Sequence, residues 1–271
     1  MFFFCHLAIA GDNDSSRTKN LFASPAAVLA LQTNNLQLVP KGALRMHTAF
    51  EFRPDWQAPI TRACGDLYRV GVLRFDLGIA QNVSLQIRGA LRQVLRFDHG
   101  ANANDVGDFS VATIARIVAA GKHRPALGFR IETKLPNTNQ DRGLGTNTTD
   151  VTMSVLATKQ YGRALIFVDL GLAILTAPRQ LNDQNDVMVY GLGSLYNLSR
   201  HFQLAGEING FASPRDQIPL GTEDRSAMRL GFSWKLSKFA LEVLAVNGLT
   251  EREGAWGIII GIVSQLNLRT R

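Results

Sequence analysis

The most regular pattern in the chain is a two-residue alternation of apolar and polar side chains. It is clearest over residues 127–135, where apolar residues alternate with Arg130, Glu132 and Lys134. Because successive side chains of a strand point to opposite faces, this segment would present one apolar and one charged face. Three charges on one short strand are costly in the dry core of a sandwich. The pattern therefore predicts that the charged face lines water and the apolar face meets lipid.

The same alternation recurs along most of the chain. It predicts about 12 strands of roughly 9 to 14 residues, long enough to cross a membrane at a tilt. The predicted strands are 44–53, 67–79, 83–97, 108–119, 127–135, 151–159, 163–175, 187–198, 202–211, 227–236, 239–247 and 255–268. The connections between them alternate between long and short. We therefore predict an all-β fold, a single antiparallel transmembrane β-barrel with long loops at one end and tight turns at the other.

A large soluble β-sandwich is the alternative all-β fold. Its inward positions would have to hold Arg88, Arg92, Arg130, Glu132 and Arg229. Burying these charges without partners is costly, whereas a barrel places them against water. The pattern favours the barrel.

The predicted barrel has an expected orientation. In bacterial outer-membrane barrels the long loops face the outside of the cell and the short turns face the periplasm. We therefore expect loops 54–65, 136–149 and 213–224 outside the cell, and turns 80–82 and 237–238 in the periplasm.

The first 40 residues do not show the alternation. Residues 1–10 are apolar and end in a small-x-small cleavage pattern, and residues 21–31 form a second apolar stretch behind two basic residues. Either stretch is typical of an export signal, although the first lacks the usual basic start. The alternative is a flexible N-terminal segment. We predict residues 1–40 as one or the other, and residues 41–271 as the barrel.

Composition changes this picture little. The 29 Lys and Arg residues against 22 Asp and Glu residues give a formal charge of +7. Such an excess can indicate a nucleic-acid partner, but the basic residues are spread along alternating strands and no nucleic-acid-binding motif is present. We expect no nucleic-acid partner. The expected partners are outer-membrane lipid, a small-molecule solute and the barrel assembly machinery.

The sequence offers no complete set of catalytic or cofactor-binding residues. There is no P-loop and no HExxH, and Gly143 and Gly145 lack the third glycine of a dinucleotide site. Ser199 and His201 share a tight turn, but no acid partner can be assigned to them. Cys5 and Cys64 have no metal-ligand spacing. We expect no enzyme activity, no cofactor and no metal.

The predicted inward positions carry most of the functional information. By strand parity the lumen-lining residues are Arg88, Arg92, Arg96, Arg116, Arg130, Glu132, Lys134, Asp169, Glu207 and Arg229. The five arginines fall on three consecutive strands, and we call them the basic wall. One interpretation is a wall that selects solutes in a narrow pore. The other is a closed interior in which salt bridges stiffen a small barrel.

Several short motifs resemble those of a known family. Gly107–Asp108 opens an alternating strand, and Lys134-Leu-Pro136 is followed by Gly143-Leu-Gly-Thr146 and Asp150. Further similarities lie at Tyr190, Leu198-Ser199 and Glu207. Together they resemble the outer-membrane β-barrel family named for the meta-pathway of phenol degradation, over roughly residues 40 to 268. One departure is the C-terminal Arg271, where such barrels usually carry an aromatic residue.

This resemblance implies a bacterial outer-membrane barrel that passes small molecules, and it supplies no catalytic residues. With the basic wall, it leads us to expect a passive transporter or channel for small hydrophobic or anionic molecules. The alternative is a non-conducting structural or interaction barrel whose long extracellular loops are functional.

Overall fold

The computed structural model describes residues 28, 30–97, 101–178 and 183–268. Candidate export signal 1–10 and most of candidate 21–31 lie outside these residues. No helix within the described part of the chain is long and apolar enough to cross a membrane.

The described residues form thirteen strands and two short 3-10 helices. The strands are β1 Ala43–Gln57, β2 Cys64–Ala80, β3 Val83–Phe97, β4 Ala103–Asp105, β5 Phe109–Val118, β6 Ala126–Leu135, β7 Asp150–Tyr161, β8 Ala164–Thr176, β9 Gln184–Asn197, β10 Phe202–Ala212, β11 Arg225–Lys235, β12 Phe239–Gly248 and β13 Gly257–Asn267. The 3-10 helices are Gln140–Arg142 and Glu251–Glu253.

The strands close into one antiparallel barrel. Each long strand pairs with its neighbours in sequence, and β1 pairs with both β2 and β13, so that the sheet has no open edge. The first and last strands meet from Ala43 opposite Asn267 to Phe52 opposite Ile258. Twelve long strands form the ring, and the short β4 pairs with the C-terminal part of β3. The predicted fold, a 12-stranded barrel, is confirmed.

The two ends of the barrel differ in their connections. One end, the long-loop end, carries the connections 58–63, 136–149, 213–224 and 249–256, together with the described residues 101–102, 177–178 and 183 of two further connections. The other, the short-turn end, carries 81–82, 119–125, 162–163, 198–201 and 236–238. This asymmetry is typical of outer-membrane barrels.

The outer surface of the barrel is apolar. Its exposed side chains include Ile117, Met153, Val155, Leu170, Leu172, Met188, Leu192, Leu230 and Ile260. In water they would form an exposed apolar patch far larger than soluble proteins carry. Aromatic pairs lie towards its two edges, Phe202 with Trp234 at 5.8 Å and Phe52 with Tyr68 at 4.9 Å between ring centroids. The closed barrel and this lipid-facing surface are those of a bacterial outer-membrane protein.

A bulge near the middle of β2 and β3 exchanges their faces. The register of β1 with β2 shifts by one residue at Gly71, whose φ of 64° lies in the left-handed region that glycine favours. On the short-turn side of Gly71, Val72 and Arg74 face the lumen. On its long-loop side, Leu67 and Arg69 face the lumen.

The bulge corrects two sequence predictions. Arg92 pairs with Val70, and both side chains are exposed on the outer surface. The guanidinium of Arg96 lies 5.1 Å from the ring centroid of Tyr68, also on that surface. Both arginines therefore point away from the lumen. The parity count was wrong because it assumed uninterrupted alternation along β3.

Candidate functional site

The lumen contains part of the polypeptide itself. Residues 30–39, which we call the lumen segment, precede β1 and run inside the barrel. Leu31, Leu36 and Val39 are each 2% exposed, and Asn34 is 1% exposed. These residues belong to the N-terminal stretch predicted as an export signal or a flexible segment. The described part of that stretch is packed against the strands, and the boundary at residue 41 and the export signal stay predictions.

Two glutamates of the wall bind the backbone of the lumen segment. Glu207 in β10 accepts hydrogen bonds from the N–H groups of Gln32 and Thr33, both at 2.8 Å. Glu242 in β12 accepts one from the N–H of Ala30 at 3.1 Å. Charge-assisted hydrogen bonds of this kind are roughly twice as strong as neutral ones. They satisfy backbone donors that could reach no sheet ladder inside the lumen.

Further polar contacts hold the lumen segment along its length. The Asn34 amide donates to Asp169 at 3.4 Å and accepts from Gln86 at 3.2 Å. The N–H of Leu36 donates to the hydroxyl of Thr158 at 3.0 Å. In addition, guanidinium groups donate to backbone carbonyls, Arg74 to Leu31 and Arg88 to Gln32.

Apolar packing adds to these contacts at two levels. Val28 and Leu31 join a buried cluster with Phe167, Leu195 and Leu244. Nearer the short-turn end, another cluster contains Leu36, Ile114, Ala126 and Leu156. Close packing at both levels leaves the segment filling the part of the lumen nearest the short-turn end.

The predicted lumen residues at the centre form one ionic network. Glu132 accepts from Arg88 at 2.5 Å and from Arg130 at 2.6 Å. Arg130 also lies 3.4 Å from Asp169 and donates to the hydroxyl of Ser154 at 3.3 Å. These four charged residues come from β3, β6 and β8, so that the network ties non-adjacent strands together across the lumen.

The other predicted lumen residues are distributed more widely. Arg229 pairs with Glu207 at 2.9 Å, and Lys134 pairs with Asp150 near the long-loop end. Arg116 lies at the short-turn end and donates to the carbonyl of Gln81 at 3.3 Å. The five arginines predicted as a basic wall therefore do not lie together. Two face outward, one lies at the rim, and Arg88 and Arg130 share acidic partners.

Some residues that shape the lumen escaped the sequence analysis. Gln86 is fully buried and links Asn34 to Asp76. Asn209 lines the cavity described below. Strand parity places both residues inward, but uncharged side chains gave no signal that distinguished them from ordinary strand residues.

A cavity of about 480 Å³ lies between the lumen segment and loop 136–149. Its charged lining residues are balanced, with the basic Arg69, Arg74, Arg88, Arg130 and Lys134 against the acidic Glu51, Asp108, Glu132, Asp150 and Asp169. Leu144, Val189 and Phe211 add apolar surface. Its volume is typical of small-molecule sites, and its lining is amphipathic rather than basic.

Ion pairs tie the loops together at the long-loop end. Glu253 pairs with Arg225 at 3.0 Å and with Arg53 at 3.1 Å. Burial raises the pKa of the Glu253 carboxyl, but the guanidinium groups of Arg225 and Arg53 outweigh burial and lower this pKa below its usual value of 4.5. A second cluster joins Arg62 and Arg252 through Glu223.

Comparisons with known proteins agree with the fold. No protein-family model matches the sequence, and a search of curated proteins gave no match. The structure is similar to the translocator domain of autotransporter NalP from Neisseria meningitidis, with a TM-score of 0.54, 12% identity, and coverage of 84% of this chain and 90% of that chain. It is also similar to the NanC porin, with a TM-score of 0.54, 9% identity, and coverage of 82% and 100%. At such identities the similarity shows the outer-membrane barrel fold alone. The resemblance to the meta-pathway family is not confirmed.

Proposed function

We propose that this protein is a passive transporter of small molecules in the bacterial outer membrane, with the lumen segment as its internal gate. The main support for this proposal is the 480 Å³ cavity, which lies on the long-loop side of residues 30–33 inside a closed barrel. With the long-loop end facing outward, solutes reach the cavity from outside the cell. The lumen segment closes the path from the cavity to the short-turn end.

The balanced charge of the cavity sets the solute class. Five basic and five acidic side chains line it, beside several apolar ones. Such a surface favours small amphipathic or hydrophobic molecules over simple anions. The resemblance to the meta-pathway family points to the same solute class. No reaction is proposed, since the role of the barrel is to let molecules pass.

A disulfide lock on the lumen segment tests this function. A Cβ atom built on Gly191 in β9 would lie 3.1 Å from the Cβ of Thr33. Disulfides need about 3.8 Å between these atoms, so Thr33→Cys with Gly191→Cys requires only a small shift. The double variant is made in a background that lacks the native Cys5 and Cys64. Its current is measured in planar bilayers before and after reduction.

We expect no current while the disulfide is intact and a current after reduction. Equal current in both states would contradict gating by the lumen segment. The second candidate function is a non-conducting structural barrel, which the extensive contacts of the lumen segment favour. Lack of current in the native protein and in both states of the variant would contradict axial transport and favour that alternative instead.

A further inference from the structure

The wall of the barrel is interrupted on one side. β3 pairs with β5 from Val83 to Arg88 and with β4 from Gln93 to Leu95. Between these stretches, residues 106–108 belong to no strand. The register is unchanged across the interruption, since Arg88 lies opposite Ser110 and Gln93 opposite Asp105. The ladder is therefore broken rather than shifted. We call residues 89–92 with 106–109 the wall gap.

One side of the wall gap is hydrogen-bonded to loop 136–149. Asp108 accepts hydrogen bonds from the N–H groups of Asn137 and Thr138, at 3.1 and 2.8 Å. The N–H of Phe109 donates to the Asn137 side chain at 3.3 Å. Across the gap, the N–H of Gly107 donates to the carbonyl of Ala90 at 2.8 Å. Loop 136–149 is thus bound to this side of the gap through the Asp108 side chain and the Phe109 N–H, and one backbone hydrogen bond crosses the gap to β3.

The inner side of the wall gap opens on the cavity. Gly89, Ala90, Gly107 and Asp108 all line it. Three of these four residues are glycine or alanine, so little side-chain volume separates the cavity from the wall. The gap and the cavity therefore lie at the same level of the barrel, on the long-loop side of the lumen segment.

The outer side of the wall gap is covered by one aromatic ring. A Cβ atom built on Gly89 would lie 2.5 Å from the ring of Phe109, so this ring rests directly on Gly89. Leu91 and Val106 flank it and are 57% and 42% exposed. The surroundings on this side are apolar and face lipid.

We propose that the wall gap is a lateral portal through which small hydrophobic solutes pass between the cavity and the hydrocarbon of the membrane. This inference rests on the proposed function, because the cavity must accept solutes for the portal to serve them. The physical basis of the proposal is that the axial and the lateral path require different contacts to be broken. The axial path requires release of the hydrogen bonds that the lumen segment donates to Glu207, Glu242 and Thr158. The lateral path requires rotation of Phe109 and loss of the Gly107 hydrogen bond.

The portal also defines the class of solute. Leu144, Val189 and Phe211 give the cavity an apolar side, and the exit leads to lipid. A polar solute would lose its hydrogen bonds to water on leaving by this route, which opposes its passage into lipid. Small aromatic or aliphatic molecules meet no such barrier.

A reversible staple tests the portal. A Cβ atom built on Gly107 would lie 2.9 Å from that of Ala90, so Ala90→Cys with Gly107→Cys can form a disulfide after a small shift. The control staple, Gly206→Cys with Leu230→Cys, joins directly opposed residues of the continuous β10–β11 ladder. Both pairs are made in a background without Cys5 and Cys64. The probe is 1-N-phenylnaphthylamine, whose uptake is followed by fluorescence in cells with an intact lipopolysaccharide leaflet.

We expect the oxidised staple across the wall gap to abolish uptake mediated by the protein, and reduction to restore it. The control staple should leave uptake unchanged. Uptake that persists through the oxidised wall-gap staple would overturn the portal.

The lock on the lumen segment separates this inference from the proposed function. If the portal exists, the oxidised Thr33–Gly191 lock stops the axial current but leaves probe uptake intact. If the lock stops both, the lateral portal is overturned while the gated transporter stands. If native protein gives no current but uptake still responds to the wall-gap staple, axial transport fails and the portal is supported.

A second variant avoids any dependence on disulfide formation. Phe109→Ala removes the ring over Gly89 and should accelerate probe uptake. Leu135→Ala is the matched control, because Leu135 lies opposite Phe109 on the outer face but outside the wall gap. Equal uptake by the two variants would count against the portal.

Discussion

Glu207 and Arg229 lie 2.9 Å apart on neighbouring strands, and the same carboxylate binds two consecutive N–H groups of the lumen segment. Glu207 has no exposed side-chain surface, and that of Arg229 is 8% exposed. The carboxylate therefore has two partners, a cation on the wall and the backbone of the gate. Its charge links the stability of the barrel wall to the position of the lumen segment.

Replacing Glu207 by glutamine should loosen both contacts. The neutral amide gives Arg229 no counter-charge, and breaking a buried pair typically costs about 3 kcal/mol or more. It also weakens the acceptor for the Gln32 and Thr33 N–H groups. We expect the variant to unfold at lower urea concentration in lipid vesicles and to conduct more often in planar bilayers.

Asp186→Asn is a suitable control for Glu207→Gln. It removes one acidic charge on β9, where Asp186 is exposed and accepts a hydrogen bond from the Gln184 side chain. Exposed contacts of this kind contribute little to stability. Equal effects of the two substitutions would show that the contacts of Glu207 do not hold the gate.

The different positions of Arg130 and Arg92 predict opposite results for ion selectivity. Arg130 lines the cavity, whose charged side chains are balanced, so Arg130→Gln leaves one acidic charge in excess. The reversal potential under a salt gradient should shift toward cation selectivity, since fixed charges act strongly in a confined passage. Arg92→Gln should leave it unchanged, because Arg92 is on the outer surface. A shift with Arg92→Gln alone would contradict the assignment of the two faces.

The ion pairs of Glu253 predict a pH dependence of stability. A carboxyl whose pKa is lowered in the folded state stabilises the fold above its usual pKa of 4.5, and this contribution is lost as pH falls through the lowered value. Glu253→Gln should therefore lower the midpoint of thermal unfolding at pH 7. The difference from the native protein should shrink as pH falls below 4.5.

Glu251→Gln is the control for this effect. Glu251 belongs to the same 3-10 helix but is exposed. It should change the midpoint little at any pH. If the Glu253→Gln difference stayed constant down to strongly acidic pH, ionisation of Glu253 would not be its cause.

The number of strands could be predicted because lipid imposes a strict pattern. Each strand must show apolar side chains to lipid at every second position, so the alternation recurs from strand to strand. The face of each residue was harder to predict. The bulge at Gly71 exchanges the lumen-facing and lipid-facing positions in the half of the strand toward the long-loop end. Neither Gly71 nor Leu91 looks different from other strand residues in the sequence.

The contents of the lumen could not be predicted from the chain alone. Ala30, Gln32 and Thr33 bind Glu242 and Glu207, which lie more than 170 positions away in sequence. The segment shows no alternation and no helical period, because side chains all around it contact the barrel wall. Such contacts depend on closure of the barrel, which no local pattern encodes.

The unequal ends of the barrel predict its orientation in the cell. The long connections 136–149 and 213–224 are at one end, and the turn 236–238 is at the other. If the long-loop end faces outward, a peptide tag inserted after Asp216 should bind antibody on intact cells. A tag inserted after Ser237 should bind only after the outer membrane is permeabilised. Surface labelling of the Ser237 tag alone would reverse the orientation, and solutes would then reach the cavity from the periplasm.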